Sequence, residues 1–491
     1  MEFMTQATDT PPSRSGLAAT LDRYFGITQR GSTHGREFRG GLVTFFTMAY
    51  IVVLNPLIIG GFSKDAAALD VEGGWLDAAQ VGAATSLTAG VMTILFGLIA
   101  NLPYGIAAGL GINSFLAVSV VGQVTWAEAM GLVVINGVII VILASTGLRT
   151  LVFNAVPRQL KIAITVGIGL FIAFIGLVNS GFVTGTPAGP PVQLGSAGSV
   201  ATLPTLTFVI GLILMGVLMA RKVRGALLIG IVGTTVLAIA LEALLKLGPA
   251  FENEGGWSLN VPQIPGQVFA LPDLSLIGNV DLFGSFERIG ALGATMLIFT
   301  LVFTNFFDAM GTLTGLTATA GLADKNGEVP RLKRALIVEG VGAIAGGAAS
   351  VSSNTIFVDS AAGVGEGART GLANVYTGLF FVMAMFLTPL TQAVPLEVAA
   401  AALVVVGAMM MAQIKEIDFA DFSVALPAFM TIAVMPFTYS IANGIGAGFI
   451  SWVLVQSLSG KWRKVSPLLW IVAFGFVVYF ARGPLESVLG L

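Results

Sequence analysis

Ser353-Asn354-Thr355-Ile356-Phe357-Val358-Asp359-Ser360-Ala361-Ala362-Gly363-Val364-Gly365-Glu366-Gly367 is apolar, glycine-rich and short, and it carries a carboxylate at its middle. A full membrane crossing takes about 20 mostly apolar residues. A second stretch of this kind runs from Gly105 to Val121, flanked by Pro103 as the first is flanked by Arg369. Within it, Gly109-Leu110-Gly111-Ile112-Asn113-Ser114-Phe115 sets an amide, a hydroxyl and an aromatic ring at the position equivalent to Asp359. Both stretches read as half-helices, which leave backbone N–H and C=O groups free at membrane depth and survive only where they line a cavity or are buried in protein.

Around this pair the chain is that of a membrane protein. Of 491 residues, 55% are hydrophobic and only 10% charged, with a mean hydropathy of +0.91, against about 25% charged in soluble domains. Twelve ordinary candidate spans fall near 41–60, 80–101, 127–147, 157–178, 204–220, 225–247, 291–313, 334–350, 371–391, 397–413, 418–436 and 438–458. With the two half-helices the expected count is fourteen. Pro467 to Ala481 is short for a span, and its sequence leaves open whether it crosses the bilayer or lies along the interface. The first 39 residues lack the apolar core of a cleavable signal. Within them Leu21, Tyr24, Phe25 and Ile27 alternate with charges, as in an interfacial helix or an irregular tail.

Placing the N-terminus inside tests the count, because cytoplasmic loops collect Lys and Arg. The clusters Arg149/Arg158/Lys161, Arg221/Lys222/Arg224, Arg331/Lys333/Arg334, Arg369, Lys415 and Lys461/Arg463/Lys464 then all fall inside. The loop from Gly248 to Gly290 falls outside and is acidic. Ala155-Val156-Pro157 opens the fifth span and Ala393-Val394-Pro395 the twelfth, while Gly90-Val91 in the second matches Gly340-Val341 in the ninth. An offset of seven implies two repeats, and an odd number of spans inverts the second relative to the first. That is a secondary-transporter architecture, in which paired broken segments point to the substrate site.

A net charge of −2, from 24 basic and 26 acidic residues, excludes nucleic-acid binding. The absence of cysteine and a single histidine, His34, remove disulfides, thiolate chemistry, Cys/His metal sites and histidine relays; no metal or cofactor is expected. Acids inside spans are costly and therefore candidates for function. Asp308 lies deep in the eighth span, with Thr312 on its helix face. Asp359 centres the tenth segment; for both acids the reading is a ligand or proton role, against a carboxylate capping a half-helix. Glu366 has a structural ion pair with nearby Arg369 as its alternative, and Glu339, within two turns of Lys333 and Arg334, reads as structural. A flat, neutral, hydrogen-bonding ligand suits such a site, with carboxylates accepting ring N–H groups and Phe115, Phe307 or Phe357 stacking on a ring face.

The segments Phe45 to Pro56, Phe307 to Leu313, Asp359 to Val364, Gly367 to Gly371 and Met435 to Gly444 resemble the AzgA-like branch of the nucleobase–cation symporter-2 (nucleobase–ascorbate transporter) family, over residues 20 to 480 and in the same order. The resemblance implies an all-α polytopic fold of fourteen segments as a seven-plus-seven inverted repeat. It implies a core domain (40–150 and 290–392) and a gate domain (151–289 and 393–460), flanked by a cytoplasmic segment 1–39 and a C-terminal segment 461–491. The base would be held by Asp308, Asp359, Val358 and the Ser114/Phe115 pair, with Asn113 and Phe357 adjacent. The residues themselves add Phe307 to the binding set, and burial makes Asp308 the first choice for the proton carrier, with Asp359 and Glu366 as further proton-coupling acids. The branch often has glutamate where this chain has Asp359, and some uracil transporters of the wider family carry histidine where it has Thr312.

The function this implies is proton-coupled import of hypoxanthine, guanine or adenine across the plasma membrane. A uracil, xanthine or inorganic-anion carrier on the same fold is the alternative; an anion site would favour a cation near the half-helix N-termini, and neither 353–359 nor 105–117 has one. A membrane-embedded hydrolase would be left with an aspartyl dyad alone, and a channel needs no inverted repeat. Expected partners are the base, a proton, the bilayer and a second copy of the chain in a homodimer.

Overall fold

The computed structural model describes residues 17–64, 67–146, 156–186, 191–195, 198–200, 202–250, 252–253, 255–258, 260–323 and 329–481, apart from the side chains at 17, 307, 314, 318, 319 and 464. Arg149, Ala155 and the ring of Phe307, all used above, lie outside that set. Among the described residues ten helices are long and apolar enough to cross a membrane, and Leu110–Val120, Phe422–Phe437 and Pro467–Phe480 are shorter apolar helices.

In chain order the helices are α1 (Leu17–Phe25), α2 (His34–Met48), α3 (Ile51–Ile59), α4 (Ala78–Ala100), α5 (Leu110–Phe115), α6 (Trp126–Thr146), α7 (Arg158–Asn179), α8 (Leu203–Ala220), α9 (Ala226–Leu245), α10 (Gly284–Arg288) and α11 (Gly290–Thr319). They continue with α12 (Leu332–Ala348), α13 (Ala361–Gly365), α14 (Gly371–Ala384), α15 (Leu396–Met411), α16 (Phe422–Phe437), α17 (Ile441–Gln456) and α18 (Pro467–Phe480). Helix starts follow local chemistry. Asp77 accepts from the N–H groups of Ala79 and Gln80, Thr370 from Leu372 and Ser440 from Asn443, satisfying donors that a helix leaves orphaned. Pro157 and Pro395 each stand immediately before a helix, α7 and α15, where a missing N–H costs nothing.

Small residues let these helices approach closely. In a bilayer, where apolar surface alone does not drive helices together, close packing through glycine does. A methyl group on Gly371 would land on the Gly97 carbonyl oxygen, holding α14 against α4. Gly137 and Gly340 do the same for α6 and α12, and Gly169 and Gly407 for α7 and α15. Two short strands cross between these layers: β1 (Ile106–Ala108) pairs antiparallel with β4 (Asn354–Ile356), Ile106 opposite Ile356 and Ala108 opposite Asn354. A separate hairpin, β2 (Val183–Gly185) with β3 (Val192–Leu194), lies in a connecting loop.

Candidate functional site

The strand pair puts the two broken segments head to head. Gly109 N–H donates to the Ser353 carbonyl (2.9 Å) and Phe357 N–H to the Gly105 carbonyl (3.0 Å), closing the ladder at both ends. Gly105 N–H donates to Ser360 Oγ (2.9 Å), and Thr93 Oγ1 both accepts from Ile106 N–H and donates to its carbonyl, each at 2.9 Å. From these strands α5 and the turn Val358–Ser360 start without side-chain caps. Their first turns leave N–H donors at the wall of a shared cavity of ≈ 390 Å³, within the range of small-molecule sites.

The long helix α11 supplies the opposite wall. Thr304, Asp308, Gly311, Thr312 and Gly315 lie on one face and all line the cavity, as the helical period requires. Asp359 enters from the tenth segment; Tyr50 Oη donates to its Oδ2 (3.1 Å), and Thr47 Oγ1 donates to its carbonyl (3.2 Å). The Tyr50 and Phe357 rings lie 6.3 Å apart, tilted by 46°, and both border the cavity. Thr165 and Ile168 of α7 and Val406, Met409, Met410 and Gln413 at the end of α15 complete the lining, which among the described residues contains no Lys, Arg or His. Val358 is 54% exposed, its side chain opening into this space.

Of the residues expected around a ligand, Asp308, Asp359, Val358 and Phe357 meet at one cavity, while Asn113, Ser114 and Phe115 lie elsewhere and the ring of Phe307 is outside the described residues. Asn113, fully buried, turns away from it and donates from Nδ2 to Asn55 Oδ1 (2.5 Å); Asn55 in turn donates to Thr85 Oγ1 (2.8 Å) and the Val351 carbonyl (3.1 Å). This amide chain ties α5 to the turn before β4. Ser114 and Phe115 are buried in the packing of α5 and do not line the cavity. Glu366 is also outside it: its carboxylate pairs with Arg39 Nε (2.8 Å) and with Arg224 Nη1. Arg369, the partner expected from sequence, donates instead to the carbonyls of Val364 (2.7 Å) and Ala368 (2.8 Å).

Tyr50, Thr304, Thr165 and Gln413 escaped the sequence reading of the site. Tyr50 stood in the quoted Phe45 to Pro56 segment, but nothing local pairs it with an acid 309 residues away. Glu339 stands apart from the basic residues near it in sequence. Lys333 and Arg334 are exposed, while Glu339 is 0% exposed and has no salt bridge among the described residues.

A family model described as Permease family matches residues 35–446. The chain belongs to this permease family. It is 35% identical to "Adenine permease AdeP" of Escherichia coli (strain K12), over 97% of this chain and 98% of that protein. It is 36% identical to "Guanine/hypoxanthine permease PbuG" of Bacillus subtilis (strain 168), over 94% and 99%. In fold it is similar to the transmembrane domain of the cyanobacterial bicarbonate transporter BicA, with a TM-score of 0.60 at 15% identity over 84% of this chain and 96% of that one. This permease is thus a multi-pass membrane protein and a transport protein rather than an enzyme.

Proposed function

We propose that this permease imports a purine base (hypoxanthine, guanine or adenine) by proton symport. The observation that carries the reading is the pairing of Asp308 and Asp359 at one cavity that two half-helix starts share and that, among the described residues, no cationic side chain lines. Ring N–H groups would donate to the carboxylates, ring nitrogens or an exocyclic carbonyl would accept from the backbone N–H groups at 110–112 and 358–359, and Phe357 or Tyr50 would cover a ring face. The names of the adenine and guanine/hypoxanthine permeases support the purine class. The lack of a cation among the described lining residues argues against an inorganic anion.

Alternating access would carry the core (40–150 and 290–392) past the gate (151–289 and 393–460), with fourteen segments in two inverted sevens. The glycine contacts support this division. Gly90 of α4 meets α14 and Gly340 of α12 meets α6; an offset of seven segments exchanges one contact for the other, and it maps α7–α15 and β1–β4 onto themselves. The N-terminus and the Arg/Lys loops would face the cytoplasm.

The test is uptake of labelled hypoxanthine into cells expressing the chain. Adenine and guanine are expected to compete, with uracil and bicarbonate inert, and a protonophore should collapse uptake while sodium replacement leaves it unchanged. Better competition by uracil or an anion would overturn the substrate class. Sodium-dependent uptake without a pH gradient would overturn the coupling ion.

A further inference from the structure

Glu339 sits in the middle of α12 with neither carboxylate oxygen in a hydrogen bond and, among the described residues, no salt-bridge partner. Thr355 of β4, which lines the cavity, approaches Glu339 without closing a well-formed hydrogen bond, and its hydroxyl is likewise unpartnered. The strand β4 packs against both α12, which carries Glu339, and α11, which carries Asp308 on the cavity wall. Elsewhere the surroundings are bare of charge: α4, β1 and β4 have no ionisable side chain, and α6 has only Glu128, paired with Arg288 at 2.8 Å. Lys333 and Arg334, on the same helix, face outward.

An isolated ionised carboxylate in such a place costs far more than the fold can supply, so it stays neutral or finds a cation. Two like charges in a medium of low dielectric repel, so a proton on one acid favours the charge on the other. From this placement we infer that Glu339 is a second protonation site of the transport cycle, a positioning residue behind the Thr355 wall whose proton keeps Asp308 free to ionise toward the base. When the base engages Asp308 the pair must redistribute its proton, which links substrate and proton thermodynamically. The residue would act through Thr355 and Asp308 rather than by touching the base. This inference rests on the proton-symport reading above.

Wild type, Glu339→Gln and Glu339→Asp, each in proteoliposomes with and without an inward pH gradient, test it with labelled hypoxanthine. Glutamine imitates the protonated acid permanently, so E339Q should bind and exchange the base, lose gradient-driven accumulation at least tenfold, and bind with an affinity independent of pH where that of wild type varies. E339D keeps an ionisable group and should retain accumulation with a displaced pH midpoint. Wild type that ignores the pH gradient defeats the symport reading itself. Gradient-driven wild type with an E339Q that accumulates equally and keeps the wild-type pH profile overturns this inference alone. Failure of both variants to fold, read by thermal unfolding in detergent, would assign Glu339 to structure and overturn it too.

Discussion

Glu366 and Glu339 are acids of one bundle, 9% and 0% exposed, and their surroundings treat them in opposite ways. Glu366, just past α13, is gripped by Arg39 from α2 and Arg224 from the loop between α8 and α9. A third buried acid, Glu37, accepts from the backbone N–H groups of Arg369 (2.9 Å), Thr370 (3.3 Å) and Ala373 (3.3 Å), the start of α14. Glu339 has neither kind of support. Carboxylates near the Arg-rich end of the bundle are compensated and hold segments together, whereas those facing the cavity or standing behind its wall are left with spare valence. The difference separates architecture from chemistry among residues that share a residue type and a depth of burial.

The largest effect should come from stripping compensation from Glu366. In Arg39→Ala/Arg224→Ala the carboxylate would be stranded, and breaking a buried pair in this way costs about 3–5 kcal/mol. Adding Glu366→Gln should recover most of that loss, because a neutral amide leaves no charge stranded at this 7% exposed side chain. Thermal unfolding in detergent reads both; a double variant as stable as wild type would erase the contrast with Glu339.

Asp308→Asn and Asp359→Asn should each leave the fold intact and weaken base binding. Exchanging a charge-assisted hydrogen bond for a neutral one costs about 1–1.5 kcal/mol, a drop of about five- to tenfold. Calorimetric titration with hypoxanthine measures it, and wild-type affinity in either variant would remove that acid from the site.

Legibility in the sequence follows the same divide. Half-helices could be read from glycine content and length, helix starts from Pro157 and Pro395, and the cavity acids from the rarity of Asp308 and Asp359 in apolar surroundings. What stayed hidden depends on partners distant along the chain. The Asn113 amide is taken by Asn55, 58 residues earlier, and Glu366 is matched by a loop arginine rather than by Arg369 three residues on. Helix periodicity likewise placed Glu339 near Lys333 and Arg334 but could not show that those side chains face out while Glu339 faces in.

A smaller effect is expected at Glu339. Replacing it with glutamine removes no partner, so stability should change by less than about 1 kcal/mol, while the coupling readouts described above change strongly. Destabilisation as large as that of the stripped Glu366 would place the two acids in one class.

The smallest effect belongs to a carboxylate outside the bundle and in water. Asp281 accepts from Gly284 N–H (2.9 Å) and Phe283 N–H (3.0 Å) ahead of α10. These backbone donors, Gly284 first, hold its carboxyl below the usual aspartate range. The folded value is depressed, so the contribution to stability is fully present above the unfolded value, near pH ~3.9. It fades as pH falls through the lower folded value. Asp281→Asn should therefore differ from wild type by a constant, small shift in thermal unfolding at neutral pH, and that difference should shrink only in acid below about pH 4. A difference that instead disappears between pH 5 and 7 would mean that the Asp281 carboxyl titrates above its ordinary value, and that the loop's own N–H groups are not what holds it.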